Sequence, residues 1–213
     1  MEDHDGMQDL DSNLRRSPKQ DRSRERVEEI LGAAKQLIGE KGIDAVKMRE
    51  IAALAGGPIS SLYQYFPNKS SIVSMLHNQW IAELGSVLDG GLEKARDLDE
   101  ICTAAVSLLD YYYQRIVADP AILDMVNAIQ ADKSSKGADI AATRRHADQF
   151  AESARPFIAE DQFEAFQRVT FLMFQLASGA VRLALAVGPD ESDAVINDYK
   201  IMIRTQLAAF ARR

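Results

Sequence analysis

The sequence predicts an all-α protein, with an N-terminal three-helix unit containing a helix-turn-helix and a longer helical C-terminal domain. Apolar residues recur at three- and four-residue steps through most of the chain, and no alternating strand pattern or internal repeat interrupts them. Proline is scarce, with six in 213 residues, while Ala, Leu, Ile, Glu and Gln are abundant, so helix is favoured almost throughout. The breaks coincide with Gly and Pro: Gly42, Gly56-Gly57, Pro67, Gly90-Gly91, Pro120, Pro156 and Gly188-Pro189.

Residues 1–21 lack apolar periodicity and are expected to be a disordered tail, acidic first (Glu2, Asp3, Asp5, Asp9, Asp11) and then basic. A first helix is predicted over about 22–40, where Val27, Ile30, Leu31, Ala34, Leu37 and Ile38 form one stripe, with Gly42 just past its end. A second spans about 48–55, with Met48, Ile51, Ala52 and Leu54 inward. A third opens at Pro58 and ends before Pro67. Asn68 is expected to cap a long helix running to about 89 and broken near Gly90-Gly91. Further helices are predicted at about 98–118, 120–131, 137–155, 160–187 and 191–211. The expected division is a tail (1–21), a DNA-binding unit (22–68) and a helical domain (69–213), the long helix after Asn68 touching both halves.

The overall charge of −7 argues against nucleic acid, but the distribution of that charge points the other way. Arg15, Arg16, Lys19, Arg22, Arg24 and Arg26 face only Asp21 and Glu25, and Lys35, Lys41, Lys47, Arg49 and Lys69 follow, so residues 12–70 are net positive. The remainder is acidic, which predicts one end on DNA and another kept off the phosphates. Arg15, Arg16, Arg22 and Arg24 either extend along the DNA or form a solvated tail. The single Cys102 has apolar neighbours and reads as a small buried side chain in a reducing, cytoplasmic protein. The start of the chain is too polar for a secretory signal, no uninterrupted apolar run approaches a membrane span, and no membrane partner is expected.

Residues 42–69 carry the most information. A helix-turn-helix sets its second helix in the major groove, with N-terminal side chains on base edges. Pro58, Ile59 and Ser60 occupy that first turn, with Ser61 next; Ile59 suits a thymine methyl and Ser60 a base or phosphate hydrogen bond. Leu62 and Phe66, four apart, share one face and should anchor the core, whereas Tyr63 and Tyr65 are offset from it and can reach phosphates. Gln64 is open between base, phosphate and water. Lys47 and Arg49 begin the preceding helix.

Ala55-Gly56, Pro58-Ile59 and the run Ser61-Leu62-Tyr63-Gln64-Tyr65-Phe66-Pro67-Asn68-Lys69 closely resemble the signature of the TetR family of one-component transcriptional repressors, over about residues 24–72. The resemblance implies a homodimer on a palindromic double-stranded DNA operator, released by a small-molecule effector. It also implies that Tyr63, Tyr65 and Lys69 bind the operator backbone. The chain departs from the family at three positions. Lys47 stands where Thr often caps the helix, Gly57 where a branched apolar residue is common, and Ser60 where Gly is common. Gly57 is expected to lose a core contact and loosen the turn.

In the C-terminal half, Trp80, Tyr111, Tyr112, Arg115, Met125, Phe150, Phe171, Phe174 and Gln175 are the candidates for an effector pocket. An apolar, aromatic wall with a few placed polar groups suits a flat or lipophilic molecule, although plain core is the commoner use of such residues. The helix over 160–187 is apolar on more than one stripe and must bury both. Ala177, Ala180, Val181 and Ala184, with Ile196, Ile203 and Leu207 of the last helix, are the expected dimer contacts, and TetR-like proteins pair these two helices with their copies as a four-helix bundle. His146, beside Arg144, Arg145 and Asp148, is expected on a solvated face. The alternatives are an enzyme without a recognisable motif or a helical protein-interaction module. With three scattered His, no Gly-rich phosphate loop and no nucleophile motif, neither catalytic residues nor a metal or cofactor is expected.

Overall fold

The computed structural model describes residues 18–133 and 136–211. Among these residues it contains nine α-helices: α1 (Pro18–Lys41), α2 (Met48–Leu54), α3 (Ile59–Tyr65), α4 (Lys69–Leu92), α5 (Leu98–Ala118), α6 (Pro120–Ala131), α7 (Lys136–Ala154), α8 (Phe163–Val187) and α9 (Pro189–Ala208). The described residues contain no strand, only an isolated antiparallel bridge between Ile158 and Ala211.

α1 begins at Pro18, four residues before the predicted start, so the expected tail boundary at 21 falls inside a helix. Proline lacks the N–H that a first turn leaves unpaired, and it starts a helix without penalty. The acidic start and Arg15-Arg16 lie outside the described residues. The predicted stripe is realised, with Ile30, Leu31, Ala34 and Ile38 buried. Gly42 closes the helix in the left-handed region (φ 77°), its N–H donating to the Ile38 carbonyl at 2.9 Å.

Asn68 caps α4: its Oδ1 accepts the Ser71 N–H at 2.9 Å, and the Ser71 hydroxyl donates to the Asn68 carbonyl at 2.6 Å. The predicted break at Gly90-Gly91 does not occur, and α4 continues to Leu92. A Cβ at 91 would lie 2.9 Å from the Ala104 Cβ, so this glycine permits close approach of α5 and does not end α4. The later boundaries shift slightly: α7 ends at Ala154, a short 3-10 turn (Glu160–Gln162) leads into α8, and Pro189 opens α9.

α4 packs against α1 on one side and α5, α6 and α7 on the other, so it belongs to both halves. α8 packs on α7 and α9, and α5 closes the group against α9. Phe150, Phe166, Ile101, Ile116 and Leu207 are among the fully buried side chains. Cys102 is buried as predicted, and desolvation pushes its thiol up to about 11.

Within Glu160–Val187 an 18-residue stretch reaches a mean hydropathy of 1.6, which by length and composition alone would suffice to cross a membrane, although charged and polar residues interrupt its apolar run. Its apolarity serves two faces. One packs into the chain's own core through Phe163, Phe166, Met173, Val181 and Ala184. The other carries Leu172, Leu176, Leu183 and Val187, exposed in a stripe stepped by four, seven and four residues, with Ile201 and Met202 exposed on α9.

Candidate nucleic-acid interface and internal cavity

α3 is held by two anchors. Leu62 is 0% exposed and Phe66 is buried beside it, which turns the opposite face outward. Ser60, Tyr63 and Gln64 are exposed there, Tyr63 at 49%, and Pro58 and Ile59 are exposed at the helix N-terminus, whereas Ser61 and Tyr65 are half-buried and Tyr65 packs on the core. Lys47 and Arg49 are exposed at the start of α2. Lys47 makes no side-chain cap; instead its N–H donates to the Glu50 carboxylate at 2.9 Å. Glu50 also pairs with Lys41 at 2.8 Å, and these two contacts, Lys41 first, hold its carboxyl below the usual range.

The turn differs from the sequence expectation. Gly56, at φ 73°, supplies the left-handed residue. Gly57 leaves room for the Arg26 guanidinium of α1, which donates through Nη1 to the Ala55 carbonyl and pairs with Glu29 at 2.8 Å. A Cβ at 57 would collide with Arg26 Nη2. The turn is therefore tied to α1 by an arginine, where an apolar contact was expected to be lost. Lys69 is also tied: Nζ donates to the carbonyls of Ile43 (2.6 Å), Asp44 (3.3 Å) and Val46 (3.2 Å). An ammonium has three hydrogens, so in this conformation all are committed to bracing the α1–α2 loop against the start of α4.

Between α4, α5, α6, α7, α8 and α9 lies a cavity of about 120 Å³. On the same measure a single water needs roughly 10–15 Å³, so there is room for a molecule of one or two rings. Of the predicted pocket residues, Trp80, Tyr112, Phe174 and Gln175 line it. The other five lie elsewhere. Phe150 is wholly buried between Phe166 and Phe174. Phe171 lies on the α7 side of α8, under the Arg144 guanidinium at 3.5 Å. Arg115 and Met125 line a second, smaller cleft with Lys35 and Gln79 between α1 and α4–α6. Tyr111 stacks on Trp80 and donates to Glu83, which also accepts from Arg115 Nε at 2.8 Å; these bonds, Arg115 first, lower the Glu83 pKa. Trp80 forms part of the wall of both cavity and cleft.

Sequence reasoning missed several lining residues. His77 is buried, with Nε2 3.1 Å from the Asp139 carboxylate. His146 was expected in solvent but is half-buried on the cavity wall, close to Gly85; burial, then Arg145, lowers its pKa. Thr170 and Met173 also line the space. A helical signal existed: His77 precedes Trp80 by three residues, and Thr170, Met173, Phe174 and Ala177 follow one face of α8.

The dimer contacts expected from sequence are largely internal. Val181, Ala184, Ile196, Ile203 and Leu207 are buried within the chain, and Ala177 and Ala180 are half-buried. The choice by small size selected the stripe that α8 turns toward its own neighbours; the unpartnered stripe is the one through Leu176 and Leu183.

Residues 30–75 match the model for bacterial regulatory proteins of the tetR family, and residues 99–211 match that for the tetracyclin repressor-like C-terminal domain. No curated protein sequence matches. Among solved structures, a TetR-family transcriptional regulator from Streptomyces coelicolor is 24% identical, with a TM-score of 0.67, covering 87% of this chain and 99% of its own. The fatty acid degradation regulator FadR from Bacillus halodurans is 16% identical (TM-score 0.64; 93% and 100% covered). RolR in complex with resorcinol is 18% identical (TM-score 0.59; 91% of each chain covered). With the C-terminal model alone spanning more than half of it, the chain belongs to the TetR family of DNA-binding transcriptional regulators.

Proposed function

We propose that this protein is a cytoplasmic repressor that binds a palindromic operator as a homodimer and leaves it when a small lipophilic or aromatic effector occupies the internal cavity. The division of labour falls at Asn68-Lys69. The observation that carries the DNA reading is the exposed surface of α3, Ile59 at its N-terminal end and Ser60, Tyr63 and Gln64 opposite the buried Leu62 and Phe66, with Lys47 and Arg49 exposed at the start of α2. On this reading Pro58, Ile59 and Ser60 meet base edges, Gln64 reads a base or bridges to one, and Ser61, Tyr63, Tyr65, Lys47 and Arg49 hold phosphates. Lys69 joins them by exchanging a loop carbonyl for a phosphate oxygen.

Dimerisation is assigned to the exposed stripe Leu172, Leu176, Leu183 and Val187 of α8 with Ile201 and Met202 of α9, an apolar face too continuous to leave in water. Two copies joined there would present α3 helices to successive major grooves, about 34–36 Å apart. The effector acts by population shift: it binds more tightly to the state whose α3 helices no longer fit two half-sites. α4 is the lever, because Trp80 lines both the cavity and the cleft facing α1, and Lys69 at its start grips the loop before α2. RolR, bound to resorcinol, is a precedent for a one-ring ligand within this fold.

The test is to incubate purified protein with genomic fragments at moderate salt and sequence what is retained. A shared inverted repeat, with affinity falling steeply as salt rises, is the expected result. Uniform weak retention without a motif would remove the operator-specific reading.

A further inference from the structure

Resting on the proposed effector role of the cavity, the chemical class of the effector can be narrowed from the groups left without partners. Thr170 is 1% exposed, and its Oγ1 has no hydrogen-bond partner; Gln175 Nε2 is likewise buried and unpartnered. Both residues line the cavity. A buried polar group without a partner is costly, and the cost is recovered only when something in the cavity bonds to it. Nε2 is a donor alone, so its complement must be an acceptor; the Thr170 hydroxyl can serve as either. Tyr112 adds a hydroxyl that stays neutral, because burial pushes it up to about 12.

No Lys or Arg side chain is among the described residues lining the cavity. Arg182, which lies nearby, commits Nη1 to Gln130 Oε1 at 2.6 Å. The His77 imidazole is held by Asp139. A carboxylate ligand would meet no Lys or Arg among the described lining residues and would face Asp139 on the same wall, and an ammonium ligand would offer Gln175 Nε2 nothing to bond. We infer that the effector is an uncharged one- or two-ring aromatic molecule bearing a carbonyl- or ether-type acceptor oxygen, received by Gln175 Nε2 and the Thr170 hydroxyl.

Four ligands of one shape separate the alternatives: acetophenone (neutral acceptor), isopropylbenzene (no acceptor), benzoate (anion) and 1-phenylethylammonium (cation). Affinities for the full-length protein are read by calorimetry and by quenching of Trp80, the chain's single tryptophan. Acetophenone should bind at least about tenfold more tightly than either ion. Gln175→Leu should weaken acetophenone by about tenfold while leaving isopropylbenzene unchanged or tighter, a shift in their ratio that a merely structural role would not produce. If that variant does not fold, Thr170→Val, which keeps the side-chain shape, carries the same comparison. Tighter binding of benzoate or of the ammonium, or an acetophenone-to-isopropylbenzene ratio unmoved by both variants, overturns the assignment while leaving the effector role standing. Failure of all four to bind overturns the cavity's effector role together with the assignment.

Discussion

α3 and α8 stand at opposite ends of a scale. α3 has seven residues; it buries Leu62 and Phe66 just behind it, and turns most of what remains outward. α8 has 25 residues, turns one apolar face to the chain's interior, where it meets both core and cavity, and leaves a second exposed. In α3 the outward face follows from two anchors four residues apart, so a local spacing nearly fixes which side chains can meet DNA. In α8 two faces are apolar enough to be buried, and what each one does depends on α7, α9 and whatever lies outside the chain. A short helix with one greasy side is therefore easier to interpret than a long one with two.

The most damaging test of the α3 side is Leu62→Ala. Removing a fully buried leucine should cost about 2–5 kcal/mol and unfold the α1–α3 unit first, with α5–α9 persisting as a second transition in thermal melts. A single cooperative melt with DNA affinity retained would mean that α3 is not held by this anchor. On the α8 side, Leu176→Glu and Leu183→Glu should leave the monomer's stability nearly unchanged, because both positions are exposed within the chain. They should weaken the dimer by at least about 2 kcal/mol, roughly thirtyfold in Kd, as seen by sedimentation. Unaltered dimerisation would move the interface away from this stripe.

Smaller effects sharpen the α3 face. Arg49→Ala should weaken DNA binding uniformly across sequences and reduce the salt slope by about 0.9, whereas Ile59→Ala should relax discrimination at one base position by about 1 kcal/mol. If Ile59→Ala behaves like Arg49→Ala, Ile59 is not a base contact. Smallest of all, Gly57→Ala displaces the Arg26 guanidinium from the turn and forfeits its bond to Ala55, worth about 1 kcal/mol of stability. In an Arg26→Ala background the same substitution should be nearly neutral, a double-mutant cycle that isolates the pairing.

Much of the proposed nucleic-acid face was legible because it is written in short-range terms: the Asn68 cap, the left-handed Gly42, the glycine turn after α2, and Leu62 with Phe66. The cavity was legible only in part. Three consecutive tyrosines guaranteed that one would point inward, but only contact with α4 selects Tyr112 for the cavity and sends Tyr111 to Glu83, 28 residues earlier. His77 and Asp139 are 62 positions apart and read as unrelated until α7 is laid against α4. Gly57 looked like a missing contact, because the arginine that fills its space enters from another helix.

By itself the sequence determined the all-α class, the helix boundaries to within a few residues, the anchored and open faces of α3, and the family signature in residues 42–69. These depend on periodicity, capping and turn chemistry, which act over a handful of residues. Only the tertiary structure decided which stripe of α8 is internal, which aromatic side chains surround the cavity, and that Lys69 braces a loop. Those outcomes depend on which surfaces of distant segments are brought into contact, and helical spacing alone says that a face must be covered without saying by what.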